Sequence, residues 1–311
     1  MPQAISTLAR LAGVAAAAGA ACVGYAILVE RDWYRLRRER VEALAPGQPP
    51  LTVMHLSDLH MTAADSRRRA FVERLAAEPV DLVVLTGDML GEPAGLGPVL
   101  EALGRFRPRL GAVAVLGSND YFAPRFLNPL NYFLGPSSRR HRSAPGNPWR
   151  ELVAGLETRG WTVLANRRGQ LGDVELAGLD DPHIRRDDPC VLVPANGDAR
   201  STGGPGLRPP DPPPRLRLGV VHSPYRRALD AFERNGYGLV LAGHTHGGQV
   251  CLPGVGALVT NCDLPREQVR GLSRWGSSWL HVSAGLGTSK YAPFRFACRP
   301  EASLLTVVSR A

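Results

Sequence analysis

Five short stretches carry side chains that could do chemistry. "SDLH" holds Asp58 and His60 two apart, "TGD" holds Asp88, and "GSND" holds Ser118, Asn119 and Asp120. "VVHSP" holds His222, and "GHTH" holds His244 and His246. Glycines at 243, 247 and 248 flank the tandem histidines and leave room for something to approach both rings closely. Carboxylates, an amide and imidazoles without a thiolate suit manganese, iron or zinc better than a purely oxygen-seeking ion such as calcium. Taken singly, each stretch has a plainer reading. An Asp-x-His after a strand is commonly a turn with a satisfied histidine, and a Gly-Asp pair is mostly a turn. Together, the stretches point to metal.

Elements able to gather them are legible in the hydrophobic pattern. "LTVMHLS" (51–57), "DLVVLTGD" (81–88) and "GAVAVLG" (111–117) read as buried strands, with helices at 66–77 and 96–107 between them. Further strands are expected at 161–165, 173–177, 215–221, 237–242, 257–260, 279–284 and 302–308, with a helix at 225–235. The fold class is α/β, a mixed β-sheet core with helices packed outside it. Each candidate residue falls just past the end of a strand. Loops at the carboxyl ends of sheet strands converge on one crevice, where open α/β sheets bind ligands.

In this order, the motifs D-x-H, G-D, GSND, H and G-H-x-H resemble those of the calcineurin-like metallophosphoesterase superfamily. The stretches "LAGHTHGGQVCLPG" and "HVSAGLGTSKYAPFRFACRPE" look like a membrane-associated bacterial branch. The resemblance covers most of 51–311. It implies the calcineurin-like fold, a mixed sandwich, and two divalent metal ions (Mn, Fe or Zn). Asp58, His60 and His246 would hold one ion, His222 and His244 the other, and Asp88 would bridge them. Such a centre hydrolyses a phosphoester or pyrophosphate bond by metal-activated hydroxide. The third motif departs from the family pattern. Aligned without a gap, Ser118 falls on the usual asparagine ligand and Asn119 on the usual histidine; a one-residue shift would make Asn119 the ligand, with Ser118 the alternative. The histidine that ordinarily protonates the leaving group is absent. Asp120 could replace it only with a pKa far above its reference of about 3.9. A leaving group that is already good, such as the phosphate of a pyrophosphate, needs less acid. Arg125, Arg139 and Arg140 could stabilise it as substrate-binding residues.

Residues 11–29 carry no charge, and as helix they span roughly 28 Å, about one hydrocarbon core. A membrane anchor over 1–29 is the favoured reading. Alternatives are a cleaved signal with "AGA" at 18–20, a lipoprotein signal at Cys22, and a buried helix. Arg31, Arg35, Arg37, Arg38 and Arg40 follow the span against Arg10 before it, which favours a single pass with a cytoplasmic catalytic domain. Residues 30–50 then read as a basic stalk and linker, and 51–311 as the catalytic domain. Within it lie a basic insert at 121–148 and a low-complexity loop at 187–214.

A formal net charge of +9 suggests nucleic acid. Against this, Lys290 is the sole lysine, and residues 121–150 supply five arginines and no acid. No groove-reading motif accompanies the charge, so no nucleic-acid partner is expected. The five cysteines (22, 190, 251, 262, 298) form no CxxC pair and suggest no disulfide framework. His55 and His281 read as core histidines, His183 with Asp180 and Asp181 as a turn, and His141 as exposed. The expected partner is a phosphorylated small molecule or a lipid. A soluble nucleotide or cyclic-nucleotide phosphodiesterase is the enzymatic alternative. A metal-binding sensor with little turnover is the non-enzymatic one.

Overall fold

A computed structural model gives the fold, and the described residues are 2–124, 146–193, 214–288 and 290–309. The chain starts with helix α1 (Pro2–Leu28) and strand β1 (Arg35–Leu44). Next come β2 (Leu51–Leu56), α2 (Ser66–Leu75), β3 (Leu82–Thr86), α3 (Leu96–Leu103), β4 (Gly111–Val115) and the single turn α4 (Ser118–Tyr121). They are followed by α5 (Trp149–Glu157), β5 (Trp161–Val163), β6 (Arg167–Leu171), β7 (Val174–Gly178), β8 (Leu216–Val220), α6 (Arg226–Arg234) and β9 (Leu239–Ala242). The rest is the small hairpin β10 (Cys251–Leu252) and β11 (Gly256–Ala257), then β12 (Gly271–Trp275), β13 (Ser278–Val282) and β14 (Glu301–Ser309).

Among the described residues the long strands form two six-stranded sheets, ordered β1-β14-β2-β3-β4-β5 and β12-β13-β9-β8-β7-β6. The centres of both are parallel, with antiparallel pairing at β14–β2, β6–β7 and β12–β13. The period-two alternation of each strand explains the layering. Val53, Leu82, Val84, Val113 and Val115 of the first sheet meet Leu176, Leu218, Val220, Leu239 and Leu241 of the second. The opposite faces pack outward. Met54, Leu56, Val83 and Leu85 meet α2, α3 and α5 through Phe71, Val72, Val99, Leu103, Leu152 and Leu156. Val240, Ala242, Leu280 and Val282 meet Ala228, Leu229 and Phe232 of α6. Strands covered on both faces are apolar throughout, which is why 82–86 is buried at every position.

Two sequence expectations need correction. Residues 35–44, expected within a stalk, form β1 and pair in parallel with β14 at the sheet edge. A strand reading "RLRRERVEAL" hides its nature because its charges find partners far along the chain. Arg35 donates to Glu301 at 2.6 and 2.9 Å, and charge on an edge strand blocks further pairing. Residues 257–260 do not form a strand beyond the two-residue β11; the glycines at 254 and 256, both at positive φ, turn the chain instead.

The segment Arg10–Asp32, which takes in most of α1, has a mean hydropathy of 2.0 and is only 6% buried, so it is long and apolar enough to cross a membrane. The chain at its end touches the domain. Ala26 accepts from the Arg295 amide, the Tyr25 and Phe296 rings meet edge to face, and the Glu30 carboxylate accepts from the Ala297 and Cys298 amides.

Candidate metal centre

The ends of β2, β3, β4, β8 and β9 bring the sequence motifs to one place. Asp58, His60, Asp88, His222, His244 and His246 are all at most 7% exposed. Two sets of ligand atoms each fall within 4.8 Å of one another and could hold an ion: Asp58, His60 and His246, and Asp58, Asp88 and His222. Both sets share Asp58. Asp88 also reaches across: its Oδ2 lies 3.5 Å from His60 Nε2 and 3.4 Å from His222 Nε2. His244 stands just outside the second set, with Nδ1 3.3 Å from His222 Nε2.

The backbone at these positions is unusual. Asp58, His60, Asp88, His244 and His246 have φ of 50°, 40°, 51°, 68° and 51°. The left-handed region costs a non-glycine residue about 1–2 kcal/mol, and such outliers cluster where a site over-determines the chain. Glycine makes the convergence fit. A methyl group at Gly117 would sit 2.8 Å from His222 Nε2 and 2.7 Å from the Asp88 amide, and one at Gly287 would sit 2.7 Å from His60 Cβ.

Hydrogen bonds leave ligating atoms turned inward. His222 Nδ1 donates to the Thr86 carbonyl at 2.6 Å, so Nε2 faces the acids. His244 Nε2 faces the Asn261 carbonyl at 3.2 Å, so Nδ1 faces His222. Asp58 accepts from Ser57 Oγ and from the His244 amide. His60 Nε2 is buried without a hydrogen-bond partner among the described residues, a feature that a cation would satisfy.

Burial shapes the charges. It raises Asp58 to about 6, with Asp88 adding to the effect and His222 opposing it. Burial lowers His60 to about 4 and holds His246 well below the usual histidine range. It would also raise Asp88, but the charge and hydrogen bond of His222 overcome it and hold Asp88 well below the carboxylate range. His222 is held well above its usual value by Asp88 against the effect of burial. The Asp88–His222 ion pair is thus the electrostatic centre of the cluster.

In the third motif, Asn119 lies against Asp88. Its amide N–H donates to Asp88 Oδ1 at 2.8 Å and its Nδ2 donates to Asp88 Oδ2 at 2.7 Å. A half-turn of the side-chain amide would present its oxygen instead. Ser118 is buried but makes no such contact with Asp88. Asn119→Ala is therefore expected to weaken Mn²⁺ binding about tenfold or more, while Ser118→Ala changes it little, as read by isothermal titration calorimetry.

Asp120 is held by backbone amides. Its carboxylate accepts from the amides of Met89 (2.7 Å), Leu90 (3.1 Å) and Gly117 (2.9 Å) and has no exposed surface. Burial and the Asp88 charge raise it to about 7, and its carboxylate ties two loops together. Arg125, Arg139, Arg140 and His141 lie outside the described residues, as do most of the insert at 121–148 and of the loop at 187–214.

Three neighbours escaped the sequence reading. His183 does sit in the expected turn, capped by Asp181, but its ring lies 4.4 Å from that of His244 and its Nδ1 lies 3.0 Å from the Tyr225 hydroxyl. Arg295 is fully buried and donates to the carbonyls of Ala284, Gly285 and Gly287 behind the His246 turn. Asn147 donates to the Asn119 carbonyl at 2.6 Å. No local pattern marks these residues, because each is recruited from a loop remote in sequence.

Known proteins are similar to this chain in sequence. Residues 51–248 match the family model described as calcineurin-like phosphoesterase. The chain is 26% identical over 264 residues to the uncharacterized metallophosphoesterase YkoQ of Bacillus subtilis, covering 82% of this chain and 83% of that protein. It is 25% identical over 301 residues to the phosphodiesterase YaeI of Escherichia coli, covering 92% of each. It is 27% identical over 282 residues to a transmembrane protein with metallophosphoesterase domain of Danio rerio, covering 84% of this chain and 54% of that protein. With the family model spanning most of the chain and the motif residues gathered at the strand ends, the chain belongs to the calcineurin-like phosphoesterase family of metal-dependent phosphohydrolases.

Proposed function

We propose that the chain hydrolyses a phosphodiester or pyrophosphate bond at a centre for two divalent ions, manganese, iron or zinc. Asp58, His60 and His246 would hold one, His222 and His244 the other, with Asp88 between them and Asn119 beside it. The observation that carries this reading is the position of Asp88 Oδ2, 3.5 Å from His60 and 3.4 Å from His222. Ions held there supply Lewis-acid activation of water and neutralise charge on the phosphoryl oxygens. The chain's own groups do the positioning. Thr86 and Asn261 fix the orientation of two imidazoles, and the glycines admit the approach. With Asp120 engaged by three amides and no histidine in its neighbourhood motif, the residues suit a leaving group that needs little acid help. We place residues 1–29 in the membrane as a single pass with the domain, beginning at β1, on the cytoplasmic side. The exposed apolar helix supports this, and it favours a lipid-linked substrate over a soluble nucleotide. Arg125, Arg139 and Arg140 would contact the leaving group. Neutralising all three lowers turnover; unchanged turnover removes that role.

The test is hydrolysis of bis-p-nitrophenyl phosphate with added Mn²⁺ and its loss on chelation. The missing acid favours one second reading, a metal-binding sensor, which binds Mn²⁺ and turns over nothing. Ligand protonation gives a further expectation. Metal binding displaces protons from Asp58, raised to about 6, and from His222, raised above its usual range. Affinity for Mn²⁺ therefore rises with pH through about 5 to 7, which titration calorimetry at several pH values measures. An affinity that is flat or falling over that interval contradicts the assignment.

A further inference from the structure

The space between the two sheets is largely aliphatic, and a polar track runs through it. Ser57 Oγ donates to Asp58 Oδ2 at 2.5 Å, Thr86 Oγ1 donates to Ser57 Oγ at 2.6 Å, and His55 Nε2 lies 3.0 Å from Thr86 Oγ1. His55 Nδ1 lies 2.9 Å from Nδ1 of His281, which reaches over from β13 in the second sheet. His281 Nε2 lies 3.0 Å from Glu39 Oε2 on β1, a close ion-pair contact in which the N–H is not aimed squarely at the oxygen. Arg37 also pairs with Glu39, at 2.5 Å, and faces Glu301 at 3.9 Å. Ser57, His55, Thr86 and His281 have no exposed surface. Packing alone would put aliphatic side chains here, as at the neighbouring Val53, Val84 and Leu241. A buried polar track is stable only if every member is satisfied by the next.

The direction of the chain follows from what each group can give. Ionised Glu39 only accepts, so His281 Nε2 carries a hydrogen. At the other end Ser57 gives its hydrogen to Asp58 and Thr86 gives its own to Ser57, so Thr86 accepts from His55 Nε2–H. Burial and the adjacent His281 hold the His55 pKa well below its usual value, so His55 is neutral and its Nδ1 accepts from His281. Both ring nitrogens of His281 therefore face an acceptor, Glu39 Oε2 on one side and His55 Nδ1 on the other.

We propose that Glu39 and His281 are positioning residues of the metal centre, fixing the direction of a hydrogen-bond chain that aims the Ser57 hydroxyl at Asp58 Oδ2 and leaves Oδ1 for the ion. Oδ1 faces His246 Nε2 at 3.8 Å and accepts from the His244 amide at 3.2 Å, which leaves it a lone pair for the ion. The inference rests on the metal reading above.

The experiment uses the full chain in detergent micelles with Zn²⁺ as a diamagnetic probe. Long-range ¹H–¹⁵N correlation of the histidine rings should show two ring protons on His281 and a single one, on Nε2, in His55. Glu39→Gln replaces an acceptor by a group that can also donate, so the direction is no longer imposed. In that variant His281 loses a ring proton and the Zn²⁺ affinity falls about tenfold, the low end for groups that orient a ligand. A purely structural role for Glu39 would leave the ring protons in place. A single ring proton on wild-type His281, or Glu39→Gln with unchanged zinc affinity, overturns the inference. Should Glu39→Gln fail to fold, the wild-type ring pattern decides. Wild-type protein that takes up no zinc removes the metal reading itself, and the ring pattern then tests the chain alone.

Discussion

Asp88→Asn is expected to lower turnover of bis-p-nitrophenyl phosphate in Mn²⁺ by at least about a hundredfold, beyond the usual effect of groups that merely orient a ligand. The substitution keeps the shape of the side chain and removes its charge. Three contacts then fail together. His222 loses the partner that holds it protonated at 3.4 Å, and His60 loses its carboxylate neighbour at 3.5 Å. Asn119 loses one of the two acceptors that seat its amide and side chain. The variant should also bind fewer Mn²⁺ ions per chain, which elemental analysis reads independently of activity. A variant that keeps both activity and metal would show that Asp88 does not lie between two ions.

Gly117→Ala is expected to have the second largest effect, although it touches no charge. Its new methyl would lie 2.8 Å from His222 Nε2 and 2.7 Å from the Asp88 backbone nitrogen, and both are held from behind, His222 by Thr86 and Asp88 by its turn. Neither neighbour can retreat, so the strain falls on the site. Overpacking a rigid environment costs about 1–3 kcal/mol, which thermal unfolding of the metal-free protein would record as a lowered Tm. Metal affinity should fall with it. Gly97→Ala is the matched control, because nothing lies within 4 Å of the added methyl.

The site was more legible than the scaffold's edges. The motif residues announce themselves because each ends an apolar strand, and the strands at 51–56, 82–86, 111–115, 216–220 and 239–242 stand where the hydrophobic runs put them. The strand β1 was hidden because an edge strand bearing arginines at 35, 37, 38 and 40 has the composition of a solvated linker. Only pairing with β14, itself 266 residues away in the chain, reveals it. Asp120 shows a different gap: its spacing says nothing of the three backbone amides from two loops that engage its oxygens. His55 and His281 were rightly read as core residues, but a single sequence cannot show that they meet across two sheets at 2.9 Å. His183 was rightly placed in a turn; that the turn packs it on His244 is a tertiary fact. Local pattern thus reveals what a residue can do, and long-range pairing decides which neighbour it does it with.

The most direct test is anomalous diffraction from crystals of the full chain grown with Mn²⁺. The account predicts two peaks about 4 Å apart, with Asp88 between them, Asp58, His60 and His246 around the first, and His222 and His244 around the second. A lone peak, or density for the ions away from the ends of β2, β3, β8 and β9, would contradict it.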